Sequence, residues 1–279
     1  MIRIFSDLHY ADRASSLNAL PALQPLFEGA TEIVLNGDTL DTRPSRYPEN
    51  TAAAKVEVNE FFRRNAPPTT WITGNHDPDI SDLHVIELAE RRVFVTHGDV
   101  LFHNLVPWSR DATLLARRVN EELATFPPGD RNRLETRFIA IKRAAASIPQ
   151  RHQAERNALK YAVSFARDTI WPPLRILRVL AAWREAPDRA AALLNQYHFP
   201  AKVFVMGHTH RLGVTRTTGG IVVINTGSFS PPSGAGVVDV TPDRVALRSI
   251  ERHGNEFRLG PTVEEFALAR IPDPETLNA

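Results

Sequence analysis

Short apolar, β-branched runs alternate with longer stretches of helical periodicity over the first hundred residues. Ile2-Arg3-Ile4-Phe5, Ile33-Val34-Leu35, Trp71-Ile72-Thr73 and Val93-Phe94-Val95 read as buried strands, as does Val203-Phe204-Val205 farther on. A further strand is expected over 84–88, and 92–96 frames the Val93 run. Between these lie a helix over 15–28, interrupted by Pro21 and Pro25, and a second helix. That second helix is capped by Asn50 or Thr51, runs to about residue 64, and is closed by Pro67-Pro68. The order is that of an α/β or layered α+β protein.

From 105 to 197 the pattern is helical, with no convincing strand. Helices are expected from Ser109 or Asp111 to 123, from Asp130 to 147, over 150–169 and over 173–185, with Pro187 opening a fifth. Strands return at 202–206, 221–225, 236–240 and 245–250. The expected organisation is a core of 1–103 and 201–260, an all-helical insertion or cap at 104–200, and a loosely attached tail at 261–279.

The 279 residues suffice for one large domain with an insertion, and 43% apolar with 23% charged residues is ordinary for a globular chain. The absence of cysteine excludes disulfides and thiolate metal ligands, so any metal must be held by nitrogen and oxygen. The opening leads straight into a strand, and no run of eighteen apolar residues occurs. The expectation is therefore no signal peptide, no membrane span and a cytoplasmic location. Net charge is +1, but 104–200 holds sixteen Lys/Arg against nine Asp/Glu, a net of +7 on an acidic remainder. Either the helical block faces something anionic or its arginines line solvated faces.

Chemistry-bearing residues gather just after the apolar runs. In order they are Asp7-Leu8-His9, Gly37-Asp38, Gly74-Asn75-His76-Asp77, His97-Gly98-Asp99 and Gly207-His208-Thr209-His210, and they hold five of the ten histidines. Groups at the carboxyl ends of several strands can converge on one point. Asp7, His9, Asp38, Asn75, His97, His208 and His210 are the candidate metal ligands. One ion does not need seven such groups; two do, if a carboxylate bridges them. Two ions roughly 3.5–4 Å apart form a phosphoryl-transfer clamp, supplying hydroxide at neutral pH. Mixed carboxylate, imidazole and amide donors suit Mn²⁺, Fe or Zn²⁺. Asp77 beside His76 points to an oriented general acid. Taken singly, each motif also has a bland reading: Asn75-His76-Asp77 as a turn, His97 as a packing residue. His84, His103, His152, His198 and His253 are left as such.

As a series, the motifs resemble those of the calcineurin-like metallophosphoesterase superfamily: D-x-H, G-D, G-N-H-[DE], H and G-H-x-H, in this order. The resemblance covers 1–103 and 201–250. It implies a four-layer α/β/β/α sandwich with two metals at one edge. Asp7, His9 and His210 would hold one metal and Asn75, His97 and His208 the other, with Asp38 bridging. His76 would be the general acid paired with Asp77. Asp41 and Asp99 would orient ligands or cap turns.

The helical insertion, Asp-Leu-His, His-Gly-Asp and Arg211 are similar to the UDP-2,3-diacylglucosamine pyrophosphatases. Those are peripheral membrane proteins whose helical cap takes acyl chains. This chain departs from them in carrying His76 where they carry Arg, and in its longer insertion. Residues 171–186 have the composition of an interfacial helix, with Arg175 and Arg178 as a basic stripe; packing within a helical subdomain is the competing reading. The aromatic residues of the basic block do not interleave with its arginines as in a single-strand nucleic-acid track.

The expected function is in-line attack of metal-bound hydroxide on a phosphodiester or pyrophosphate of a nucleotide-linked or lipid-linked substrate. A phosphomonoesterase (a protein phosphatase included), a nuclease and a non-catalytic scaffold of the same fold are the alternatives. Oligomeric state is left open.

Overall fold

A computed structural model describes residues 1–169, 171–172 and 174–268, with the side chains of 168 and 169 left aside. β1 (Ile2–Phe5), β2 (Glu32–Asn36) and β3 (Thr69–Ile72) run parallel. They form one half of a six-stranded sheet completed by β9 (Gly236–Val240), β10 (Arg244–His253) and β11 (Glu256–Ala267), in the order β11-β10-β9-β1-β2-β3. A second sheet has the order β4-β5-β6-β8-β7, from β4 (Val85–Leu88), β5 (Val93–Thr96), β6 (Val203–Met206), β7 (Gly213–Arg216) and β8 (Val222–Asn225).

Strand alternation assigns the layers. Ile4, Val34 and Ile72 face Val93, Val95, Val203 and Val205 across the gap between the sheets. Phe5, Ile33 and Leu35 point the other way, onto Leu23 and Leu26 and onto Phe62 of α1 (Pro48–Asn65). The two Val-Phe-Val runs are parallel neighbours in register, so Phe94 and Phe204 lie side by side at 5.3 Å, outside the second sheet. There they meet α2 (Ala112–Ala124), α3 (Leu134–Ala146) and α5 (Leu174–Gln196), through Leu115, Val119, Phe138, Ile141, Leu193 and Leu194. These are the four layers of an α/β/β/α sandwich. α2, α3 and α5 share one hydrophobic cluster with the sheet.

Several elements differ from the sequence reading, each for a local reason. The expected helix at 15–28 is a 3₁₀ helix, Leu20–Phe27, with Pro21 and Pro25 inside it. α1 starts at Pro48, in the first helical position that proline favours, so neither Asn50 nor Thr51 is its cap. The helix expected from Asp130 begins at Leu134. The one expected over 150–169 is a short turn followed by α4 (Ala158–Thr169), because the Asn157 side chain accepts from the amides of Leu159 and Lys160 and starts a helix there. α5 continues through Pro187; buried Ala182, Ala186, Ala190 and Leu194 anchor it on both sides of the lost backbone donor.

β7 was not foreseen, and residues 261–267 are no tail. They are the second half of edge strand β11, paired with β10 across a register shift that accommodates Gly260-Pro261. The rest of that expected tail, 269–279, lies outside the described residues. Arg3, inside an apparently apolar run, is buried and forms a two-point ion pair with Asp239 of β9 at 2.6 and 2.9 Å.

Candidate metal centre

β1, β2 and β3 of one sheet and β5 and β6 of the other end on the same side, and the loops leaving them meet at the seam between the sheets. The amides of Asp7 and His9 donate to the carbonyls of Gly37 and Asp38, each at 3.0 Å, and the Gly207 amide donates to His97 at 2.9 Å. Asn36 links the sheets directly: its side-chain amide donates to the Thr96 carbonyl at 2.9 Å, and its own carbonyl accepts from His97 Nδ1 at 2.9 Å.

The seven expected ligands converge there. Asp7, His9 and His210 have donor atoms within 4.8 Å of one another, and so do Asp7, Asp38 and His97. His9 Nε2 lies 3.3 Å from His210 Nε2, and His97 Nε2 lies 3.3 Å from Asn75 Oδ1 and 3.4 Å from Asp38 Oδ2. His208 donates from Nε2 to the Leu105 carbonyl at 2.8 Å, which leaves Nδ1 as the accepting ring nitrogen; its ring is 5.1 Å from that of His97. Asp7 thus reaches both groups, a placement the motif series did not indicate.

Five of these residues, Asp7, His9, Asp38, His208 and His210, have φ between 45° and 63°. Left-handed backbone at non-glycine positions costs roughly 1–3 kcal/mol each and gathers at functional sites. Two glycines make the close packing feasible. A Cβ on Gly74 would stand 2.2 Å from Asp38 Oδ1, and one on Gly207 would stand 2.1 Å from Asp7 Oδ2.

The electrostatics fit cations. Asp7 and Asp38 are buried, and two buried carboxylates need positive charge nearby. Burial works against a charged His97, but the Asp38 and Asp7 carboxylates outweigh it and raise this imidazole well above its ordinary value. Burial lowers His9 to about 4 and His208 to about 3, keeping both in the neutral, metal-binding form. The donor set is all oxygen and nitrogen and, His210 apart, buried. It fits two divalent ions.

Asp77 is not the partner of His76. Its carboxylate accepts from the backbone amides of Asp38, Thr39 and Gly74 at 2.7–2.9 Å and so fastens the Asp38 loop to the Asn75 loop. His76 Nδ1 instead faces Asp41 Oδ2 at 2.8 Å, and Arg43 lies beside both, 2.6 Å from that carboxylate and 3.0 Å from the ring. Burial works to raise Asp41, but the Arg43 guanidinium and His76 hold it well below the usual carboxylate range. Sequence adjacency misled here because Asp77 turns inward at the strand end. Asp41, three residues past Asp38, faces the site, and Arg43 was missed entirely. Asp99 caps its own turn, accepting from the Val100 amide at 2.9 Å. Asn225, also missed, supports the last motif by donating to the Gly207 carbonyl at 2.7 Å. A lone Asn ending an apolar strand was the available signal for both Asn36 and Asn225.

Next to His9, Asn75, His76 and His210 opens a cavity of about 560 Å³. Leu105, Val106 and Trp108, with Ile176, Val179 and Trp183 of α5, give it a large apolar surface, and Arg43, Arg110, Asp111 and Arg151 add charged groups to its wall.

A four-layer α/β sandwich carrying a carboxylate-imidazole centre at its strand ends is the architecture of a metallophosphoesterase. Residues 1–212 match the model of the calcineurin-like phosphoesterase family, and the chain belongs to that family. No curated protein matches the sequence. Among solved structures, it is similar to Vps29 of Entamoeba histolytica complexed with zinc (12% identity, 95% of this chain and 98% of that one, TM-score 0.43). It is also similar to a dimetal phosphatase of Danio rerio (14%, 95% and 97%, TM-score 0.42) and a predicted phosphoesterase of Streptococcus pneumoniae (11%, 96% and 97%, TM-score 0.38).

The two aspartates are separable by mutation. Asp41→Asn is expected to lower kcat on p-nitrophenyl phosphoesters by about 10²-fold or more with little change in thermal midpoint. Asp77→Asn is expected to destabilise the fold by about 1–3 kcal/mol, because a buried amide is left without its acceptor. Unchanged turnover in Asp41→Asn together with a stable, inactive Asp77→Asn would reverse the assignment.

Proposed function

We propose that the protein is a dinuclear metal-dependent phosphohydrolase acting on a phosphodiester or pyrophosphate that carries a large apolar group, as in a lipid-linked substrate. The observation that carries this reading is the large apolar surface in the cavity that His9, His76 and His210 also line. A site for small phosphomonoesters has no use for walls of Leu, Val, Ile and Trp, whereas an apolar tail gains about 0.8 kcal/mol for each methylene buried there.

When bound, the two ions, with Mn²⁺ as the favoured identity and Fe or Zn²⁺ as alternatives, polarise the phosphoryl oxygens and acidify water at the site. Asp7, His9 and His210 would hold one ion and Asn75, His97 and His208 the other, with the Asp38 carboxylate available to both. His76 protonates the leaving oxygen from Nε2, with Nδ1 held by Asp41. Arg43, beside that pair, offers guanidinium N–H groups to the phosphoryl oxygens.

A peripheral contact with a membrane surface accompanies this reading. No described helix is long and apolar enough to cross a membrane. Leu159 and Val163 of α4, and Trp171, Leu174, Ile176, Leu177 and Leu180, are nonetheless exposed along one stretch of the chain. The expected basic stripe is not formed as a pair: Arg175 is buried and donates to the Arg167 carbonyl at 2.8 Å, while Arg178 is exposed.

With Mn²⁺ added to the metal-free protein, bis-p-nitrophenyl phosphate is expected to be hydrolysed faster than p-nitrophenyl phosphate. Decyl p-nitrophenyl phosphate should exceed the methyl ester by at least about tenfold in kcat/KM. Preference for the monoester, or equal rates for decyl and methyl esters, contradicts the substrate reading. Co-sedimentation with phosphatidylglycerol vesicles, lost in Leu174→Asp/Leu177→Asp, is expected from the membrane contact; no sedimentation of the wild type contradicts it.

A further inference from the structure

The loop Gly207-His208-Thr209-His210 is held from both of its neighbouring layers. From its own sheet, Asn225 donates to the Gly207 carbonyl at 2.7 Å and to Thr209 Oγ1 at 2.9 Å. From α5, the indole N–H of Trp183 donates to the Thr209 carbonyl at 2.7 Å. Thr209 is buried, and its carbonyl lies between two candidate ligands whose backbones are both left-handed. The guanidinium of Arg211, the next residue after His210, lies 5.7 Å from the centroid of the same indole ring. Trp183 therefore brackets His210, with its edge on residue 209 and its face on residue 211, while the ring forms part of the cavity wall.

We infer that Trp183 is a positioning residue for the metal centre: its N–H fixes the Thr209 carbonyl and thereby the approach of His208 and His210, while its ring forms the surface on which the apolar part of the substrate rests. The two halves of one side chain thus tie metal affinity to the helical layer. Groups that orient ligands from outside the coordination sphere typically alter metal affinity by about 10–100-fold. A tryptophan that only fills space would contribute to packing and substrate binding and leave metal affinity untouched. This inference rests on the dinuclear reading above.

The test uses the full chain and Mn²⁺ alone. Trp183→Phe keeps most of the ring and removes the N–H; Trp183→Leu removes both. Free Mn²⁺ measured by electron paramagnetic resonance should show an affinity about tenfold weaker in Trp183→Phe, with the thermal midpoint of the metal-free protein unchanged. KM for an apolar diester should stay near the wild-type value in Trp183→Phe and rise in Trp183→Leu. Should Trp183→Phe fail to fold, the exposed Arg211→Gln carries the same titration on the other flank, with weakened Mn²⁺ binding expected. Wild-type Mn²⁺ affinity in a folded Trp183→Phe, or in Arg211→Gln when it stands in, overturns the inference. A wild-type protein that binds no Mn²⁺ fails the dinuclear reading itself, a result recognisable before any variant is made.

Discussion

Two carboxylates, Asp7 and Asp38, sit buried at the seam where the strands of two sheets end, and the surrounding structure follows from what that arrangement needs. Carboxylates removed from water require counter-charge and hydrogen-bond donors. Imidazoles from both sheets supply partners, and Asp77 accepts backbone amides that fasten the Asp38 loop to the Asn75 loop. The geometry is achieved by left-handed backbone at five ligand positions and by glycines where a Cβ would strike a carboxylate oxygen. These local costs are sustained by the apolar packing beneath, where valines of β5 and β6 meet Ile4 and Val34 of the opposite sheet.

The helices between β5 and β6 serve two ends. α2, α3 and the later half of α5 cover the outer face of the second sheet, with Phe94 and Phe204 as the contact. α4 and the earlier half of α5 extend over the strand ends, where Tyr161 donates to Asp12 at 2.5 Å and Trp183 to Thr209. One helix thus belongs to the core at one end and to the cavity wall at the other. That continuity ties the helix lining the cavity to the His208–His210 loop.

Much of this was legible before any coordinates. The Val-Phe-Val runs read as buried strands, which they are, and the polar motifs after the strands named all seven residues that converge. What escaped was non-local or hidden by local habit. The His76 partner depends on which way two aspartates turn, and adjacency favoured Asp77 where space favoured Asp41. Arg3 looked like an interruption of an apolar strand, yet it finds Asp239 more than two hundred residues away. The segment after Gly260 was expected as a loose tail, yet 261–267 continue a bulged edge strand, where proline's missing donor costs nothing in pairing. Trp183 lay unremarked within the interfacial-helix composition of 171–186, because its partner is a backbone carbonyl and leaves no trace in residue types.

The central claim is that the seam holds two ions. Anomalous scattering from crystals grown with Mn²⁺ measures this directly. The account predicts two peaks roughly 3.5–4 Å apart, one touching His9 and His210 and the other touching His97 and Asn75, with Asp38 between. A single peak, or Mn²⁺ bound away from these residues, would contradict it.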